Sequence, residues 1–203
     1  MNIAVCGAQE GSGRTTLAGL LALCLADAGK KVIALDRSPK GTLKNWLNSV
    51  GGRNNPNFGG NNVSIFNLQE SAPPGDESPF RIHDFPVLPS GAAKIMDETG
   101  ETFNKIVIPC RPHFLDVRST RGFLKTLTGC KVQTLIIMNA LNNDDARSSP
   151  KYINYMLAGV ETPRTKTGLF IRACYSQAVS FGWKALDESA KREVRSIVLE
   201  IMT

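Results

Sequence analysis

The stretch Ala8-Gln9-Glu10-Gly11-Ser12-Gly13-Arg14-Thr15-Thr16 constrains this chain more than any other. It follows Asn2 to Cys6, which reads as a short buried strand. It leads into Arg14 to Ala28, where Leu17, Leu20, Leu21, Cys24, Leu25 and Ala28 recur near helical spacing. Gly29 suits the stop of that helix, and Lys30 and Lys31 complement its negative end. Val32 to Leu35 reads as a second buried strand, so strand, loop, helix and strand form a βαβ unit. A glycine-rich loop in that setting can point successive backbone N–H groups at a phosphate, and the helix N-terminus adds partial positive charge. The glycines let the backbone approach without a Cβ clash. Thr15 is placed to set its hydroxyl on Mg²⁺. The alternative is a plain strand-to-helix turn with glycines for geometry alone; the flanking strand and helix favour the phosphate loop.

The rest of the chain repeats short apolar strands between helical stretches. Residues 48–79 are rich in Gly, Asn, Pro and Ser, broken by the apolar run Val63 to Leu68, and read as loops around one strand. Phe80 to Phe85 reads as a strand ending at Asp84. Lys105 to Pro109 and Val132 to Met138 are clearer strands, and Gly168 to Ile171 is expected to be the last. Lys184 to Met202 is expected to close the chain as a long amphipathic helix, with Ala190, Val194, Ile197, Val198 and Ile201 on its core face. This alternation predicts an α/β fold with a mostly parallel sheet, one domain over residues 1–203. Phe114, Phe123, Phe170, Phe181 and Trp183 are expected in the core. Trp46 suits either the core or a dimer surface. Cys6 and Cys110, near strand ends, read as core thiols. His83 points to the face opposite Asp84 and reads as a packing or surface histidine.

Composition narrows the function classes. No run of about 18 apolar residues occurs, so no transmembrane helix is expected. The opening Met-Asn-Ile-Ala-Val has no basic region or cleavage site, so no secretory leader is expected. Cys6, Cys24, Cys110, Cys130 and Cys174 are odd in number, widely spaced and without a CxxC pair. That pattern suits a reducing cytoplasm better than a disulfide framework or zinc site. Lys and Arg number 24 against 18 Asp and Glu, a net charge of +6, which favours an acidic partner such as nucleic acid or an anionic lipid surface. Arg118, Arg121 and Lys125 fall at i, i+3 and i+7 and share a helix face. Lys184, Lys191, Arg192 and Arg195 lie in the last helical stretch, interspersed with acids. Each of these cations also suits an ordinary solvated helix face.

Five segments, in order, resemble the ParA/MinD "deviant Walker A" ATPases. Residues 8–16 resemble that family's loop, usually xKGGxGK[ST][ST]. Ala34 to Thr42, with Asp36, Ser38 and Pro39 and followed by Trp46, is similar to DxDPQxS…W. Ile82-His83-Asp84-Phe85-Pro86 resembles the Walker B segment. Ile106 to Pro109, then Pro112, Leu115 and Asp116, is similar to VIPxxPxxLD. Ile136 to Asn139 resembles a strand whose asparagine reads adenine; Ile171-Arg172, Gln177-Ala178 and Gly182 resemble the loop that packs over the base. The resemblance spans nearly the whole chain and is greatest to small plasmid-partition ParA proteins. It implies a doubly wound P-loop domain that binds ATP or ADP with Mg²⁺ through Gln9, Glu10, Gly11, Ser12, Gly13, Arg14, Thr15, Thr16, Asn139 and Ile171. Thr15 and Asp84 would hold the metal. It further implies a cytoplasmic homodimer, non-specific DNA binding, and a small ParB-type adaptor. Arg118, Arg121, Lys125, Lys191, Arg192 and Arg195 are the candidate DNA contacts. The last helix lacks the basic-aromatic character of a MinD-type membrane anchor.

The departures fall on the chemistry, at the candidate catalytic positions Arg14, Asp36, Ser38 and Asp84. Gln9 stands at the family's signature lysine, Arg14 at the P-loop lysine, and Ser38 at the water-positioning aspartate. Thr15, Asp36 and Asp84 remain. Serine is no comparable base at neutral pH, and losing an electrostatic stabiliser of phosphoryl transfer costs orders of magnitude in rate. The expectation is nucleotide binding with slow or absent hydrolysis. The alternatives are that Arg14 takes both lysine roles, that the chain is a pseudo-ATPase regulatory module, or that it serves conjugation or envelope-machine placement.

Overall fold

A computed structural model describes residues 1–51, 63–67, 80–87 and 102–203. The chain runs β1 (Asn2–Val5), α1 (Arg14–Asp27), β2 (Val32–Asp36), α2 (Thr42–Gly51), β3 (Val63–Asn67), β4 (Phe80–Asp84) and β5 (Lys105–Cys110). It continues with α3 (Phe114–Thr126), β6 (Gln133–Met138), α4 (Pro150–Met156), α5 (Ala173–Phe181) and α6 (Glu188–Met202). The expectation of loops over residues 48–79 falls largely outside the described residues; β3 lies within that segment.

The strands form a six-stranded sheet in the order β3-β2-β4-β1-β5-β6. Every pairing is parallel. Strands buried on both faces favour continuous apolar residues, which is why β1, β2 and β5 read as apolar runs broken only at their ends, by Asn2, Asp36 and Lys105. Ile3 and Val5 pack into the core that holds α1, α2 and α6, whereas Ala4 and Cys6 pack on the opposite face with Phe123 of α3. From β1 the chain moves across to β2, while β5 returns on β1's other flank. The C-terminal ends of the strands around β1 are therefore a topological switch point, the usual ligand crevice of such sheets.

Helix α1 is buried on all sides from Leu17 to Ala26. It lies on the sheet and is covered in turn by α2 and α6. Gly19 permits this: a Cβ there would sit 2.7 Å from Cε3 of Trp46 and closer still to two other ring atoms. Trp46 is thus a core residue, with its indole N–H donating to the Ala178 carbonyl at 3.1 Å.

Three expectations need correction. Gly168 to Ile171 is not a regular strand. Residues 164–170 run beside β6 and the residues after it, with isolated parallel bridges at Ile136–Arg164 and Leu141–Phe170 and a Leu169 N–H bond to the Met138 carbonyl in place of a continuous ladder. The ladder breaks between them because Lys166 and Thr167 turn their backbone N–H groups to the Glu200 carboxylate. The last helix begins at Glu188, not Lys184: Gly182–Ala185 is a 3₁₀ turn, and Asp187 caps α6 by accepting from the Ala190 N–H at 2.8 Å. Phe114 and Phe181 are exposed, at 62% and 67%. Each stands at a helix end, and the inward face of α3 is Asp116, Val117, Thr120 and Phe123. Phe123 and Trp183 are buried as expected, and Phe170 packs partly buried on β6.

Candidate nucleotide site

Strand β1 delivers the glycine loop to the switch point. Gly11 and Gly13 adopt φ +71° and +93°, a backbone region closed to most L-residues, so these two positions need glycine. Gly13 caps α1 and turns the helix N-terminus into the crevice. At Gly13 a Cβ would also collide with the Asn139 amide. That amide donates from Nδ2 to the Ser12 carbonyl at 2.7 Å and ties the end of β6 to the loop.

Arg14 folds back into the loop. Its Nη1 donates to the Gly7 and Gln9 carbonyls, each at 3.0 Å. Burial lowers its pKa and the carboxylate of Asp84 opposes that, but a guanidinium stays charged throughout the physiological range. The Gln9 side-chain carbonyl accepts from the Ser119 hydroxyl at 3.0 Å, so its amide is anchored to α3. Glu10 is exposed, Thr16 is partly buried, and the buried Ser12 hydroxyl has no partner among the described residues.

Thr15 and Asp84 meet below the loop. The Thr15 hydroxyl donates to Asp84 Oδ2 at 2.7 Å. Asp84 is buried, and its Oδ1 has no hydrogen-bond partner among the described residues. Burial pushes the carboxyl up to about 7; Asp36 adds repulsion, while Thr15 and Arg14 oppose. A buried carboxylate oxygen without a donor, beside a hydroxyl at a phosphate loop, fits a hard divalent cation that takes oxygen ligands. No group of three or more acidic, His or Cys side chains suited to a metal occurs among the described residues. Such a cation would therefore complete its shell with water and phosphate oxygens.

Asp36 does a different job. Its Oδ1 accepts from the Ser38 N–H at 2.9 Å and the Ser38 hydroxyl at 2.7 Å, and its Oδ2 accepts from the Lys44 N–H at 3.0 Å. It organises the turn after β2 and the start of α2. The Ser38 hydroxyl is a donor in this arrangement, directed at Asp36. His83 is a packing residue, fully buried against Phe85 and Phe103 and accepting from Arg37 Nε at 3.3 Å. Cys6 and Cys110 are buried thiols pushed up to about 12 and about 11, far from thiolate chemistry.

The structure thus gathers residues 9–16, Asp84 and Asn139 at one place. Ile171 is 68% exposed and held through its backbone to Leu141; no hydrogen bond links it to the loop among the described residues. The candidate DNA contacts are scattered in role. Arg118 and Lys125 are exposed on α3, and Arg192 on α6. Arg121 donates to the Met156 and Ala158 carbonyls, Lys191 pairs with Glu188, and Arg195 pairs with Asp27 over the Trp183 ring. Sequence reasoning counted Arg111 only as one of the basic residues between Lys105 and Lys131, not as a site residue. It is the first residue beyond β5, and its Nε is paired with Asp116 at 2.7 Å beside the loop. Its only sequence signal is a basic residue in the loop after a strand that flanks β1.

No protein-family model matches the sequence, and no curated protein matches it. Its likeness to known proteins lies in shape. MinD from Pyrococcus horikoshii complexed with Mg-ADP superposes with a TM-score of 0.72 at 14% identity, over 98% of this chain and 95% of that one. A Borrelia burgdorferi protein assigned to plasmid partition and bound to AMPPNP gives a TM-score of 0.72 at 12% identity, over 99% and 97%. Apo McdA from Cyanthece gives 0.70 at 14%, over 100% and 99%. The fold is that of the ParA/MinD P-loop ATPases.

Proposed function

On that fold, we propose that the chain is a ParA-like positioning protein whose glycine loop binds ATP or ADP with Mg²⁺. The observation that carries this reading is the Thr15–Asp84 bond at 2.7 Å, with an unpartnered Asp84 oxygen, directly beneath a loop shaped by two positive-φ glycines. The backbone N–H groups of the loop and the N-terminus of α1 would hold the phosphates, with the Ser12 hydroxyl as a further donor. Thr15 and Asp84 would hold the cation, which when bound supplies charge neutralisation of the phosphates. Asn139 and Ile171 are the proposed residues beside the base.

Turnover is expected to be slow or absent. Arg14 is engaged by two loop carbonyls instead of reaching for a transferring phosphate, and the Ser38 hydroxyl is engaged by Asp36 and not poised to orient an attacking water. Nucleotide-controlled dimerisation, non-specific DNA contact through Arg118, Arg121, Lys125, Lys191, Arg192 and Arg195, and a ParB-type adaptor complete the reading. Arg118, Lys125 and Arg192 are the stronger phosphate contacts of that set, because Arg121, Lys191 and Arg195 already bond within the chain.

The test is calorimetric titration with ATP and with ADP, each with Mg²⁺, with hydrolysis followed in the same samples and duplex DNA binding measured with and without nucleotide. Micromolar nucleotide binding that switches DNA affinity or oligomeric state supports the reading. Absence of binding at millimolar nucleotide refutes it. The Arg14 bonds to loop carbonyls favour a second reading, a pseudo-ATPase that uses nucleotide only as a regulatory ligand. Vigorous Mg²⁺-dependent ATP turnover would eliminate that one.

A further inference from the structure

The loop from Gly7 to Thr16 carries one cation, Arg14, and one anion, Glu10. Arg14 Nη1 already serves two backbone carbonyls, and buried Asp84 and Asp36 lie at the ends of the neighbouring strands. Even with Mg²⁺ held at Thr15 and Asp84, a triphosphate brought to this place keeps net negative charge, and Arg14 is the loop's one cationic side chain to meet it. Binding it well calls for another fixed cation.

Arg111 is held where that cation is needed. Asp116, buried in the first turn of α3, accepts from Arg111 Nε at 2.7 Å and from Nη2 at 3.3 Å. That two-point grip fixes the plane of the guanidinium and uses one of its edges. The remaining terminal nitrogen, Nη1, lies 3.8 Å from the position a Cβ on Gly11 would take. Gly11 precedes the helix N-terminus at Gly13, so an anion at Gly11 lies beyond those seated on the helix end. A cleft of about 460 Å³, lined by Gln9, Arg111, His113, Asp116, Arg147 and Tyr152 among others, adjoins the loop there. The Arg111 side chain is 32% exposed, open on the cleft side and anchored on the other.

We propose that Arg111, positioned by Asp116, forms an anion subsite over Gly11 that takes the terminal phosphate of a nucleoside triphosphate. Arg111 thereby sets the preference for triphosphate over diphosphate within a single chain. This rests on the nucleotide-binding reading above. A charged fork with one edge clamped contributes more to a phosphate than a free side chain does, because its orientation is settled before binding.

The experiment measures ATP and ADP affinity, with Mg²⁺, for the wild type, Arg111→Ala, and the double variant Arg111→Gln/Asp116→Asn. The double variant keeps a neutral hydrogen-bonded pair in place of the salt bridge, so it remains informative if Arg111→Ala alone unfolds by stranding Asp116. Thermal melts of each variant establish folding. The expected result is a roughly 10- to 100-fold loss of ATP affinity in both variants, the scale of one charge-assisted hydrogen-bonded contact, with ADP affinity nearly unchanged. Equal ATP affinity in wild type and folded variants overturns the subsite. An equal loss for ATP and ADP overturns its assignment to the terminal phosphate. Failure of the wild type to bind either nucleotide overturns the nucleotide reading itself, and the subsite with it.

Discussion

Asp84→Asn tests the electrostatics of the site without any ligand. In the folded chain burial raises the Asp84 pKa from an ordinary 3.8 to about 7. Between those values the folded state holds a proton that the unfolded state has released, so stability falls as pH rises through that window. The contribution is full below pH 4 and lost above pH 7. The two pKa values correspond to at most about 4 kcal/mol, and relaxation around the charge brings the working expectation to about 1–3 kcal/mol. Asparagine keeps an acceptor for the Thr15 hydroxyl and carries no charge. Asp84→Asn is therefore expected to be more stable than wild type at pH 8, with the difference shrinking toward zero near pH 4. Urea unfolding in metal-free buffer across pH 4–8 reads this directly, with Mg²⁺ and ATP added in a parallel series. Ligand should stabilise the wild type at pH 8 and do far less for the variant. A variant equal to or less stable than wild type at pH 8, with the same pH profile, would refute the argument that an uncompensated buried carboxylate waits at this site.

Other substitutions probe separate features. Gly19→Ala drives a Cβ into the Trp46 ring and should cost about 1–3 kcal/mol in chemical denaturation, with non-additive relief when combined with Trp46→Phe. Gly13→Ala combines strain at φ +93° with displacement of the Asn139 amide, and should abolish nucleotide binding in calorimetry while the far-UV spectrum stays native. Glu193 accepts from the Phe170 N–H, the Arg172 guanidinium and the Tyr175 hydroxyl. Its replacement by alanine should destabilise the chain by about 1–3 kcal/mol, and the shift should be seen equally with and without nucleotide.

Much of the fold was legible because a parallel sheet buried on both faces demands continuous apolar runs, and β1, β2, β5 and β6 carry them. The tight loop between β1 and α1 was legible because positive-φ positions demand glycine, and the sequence has glycine at 11 and 13. The 164–171 segment was not, because what breaks its pairing is a carboxylate thirty-odd residues away, Glu200, which no local pattern reveals. The start of α6 was misplaced because Lys184 and Ala185 suit a helix locally, while the Asp187 cap decides the boundary. Phe114 and Phe181 show that an aromatic residue at a helix end obeys the direction of its bond vector more than its hydrophobicity. Asp36, at the end of β2, was legible through the family resemblance as a candidate catalytic acid, but not as the organiser of its own turn, because its three donor groups come from residues whose geometry the fold itself creates. Arg111 was not singled out as a site residue because what sets it apart is its pairing with Asp116 and its closeness to the open side of Gly11.

The sealed position of α1 has a mechanical consequence. A helix enclosed by sheet and helices from Leu17 to Ala26 has no free volume in which to slide or roll. The glycine loop is rooted in that helix and so behaves as an anvil, fixed to the body of the protein. Any movement that a ligand provokes must be taken up by the softer partners that reach toward the loop, above all the start of α3, with its exposed Phe114 and Leu115 and its grip on Gln9 and Arg111. Amide exchange should sort these regions: the protons of α1 should be released only when the whole chain opens, and those at the start of α3 should respond to ligand.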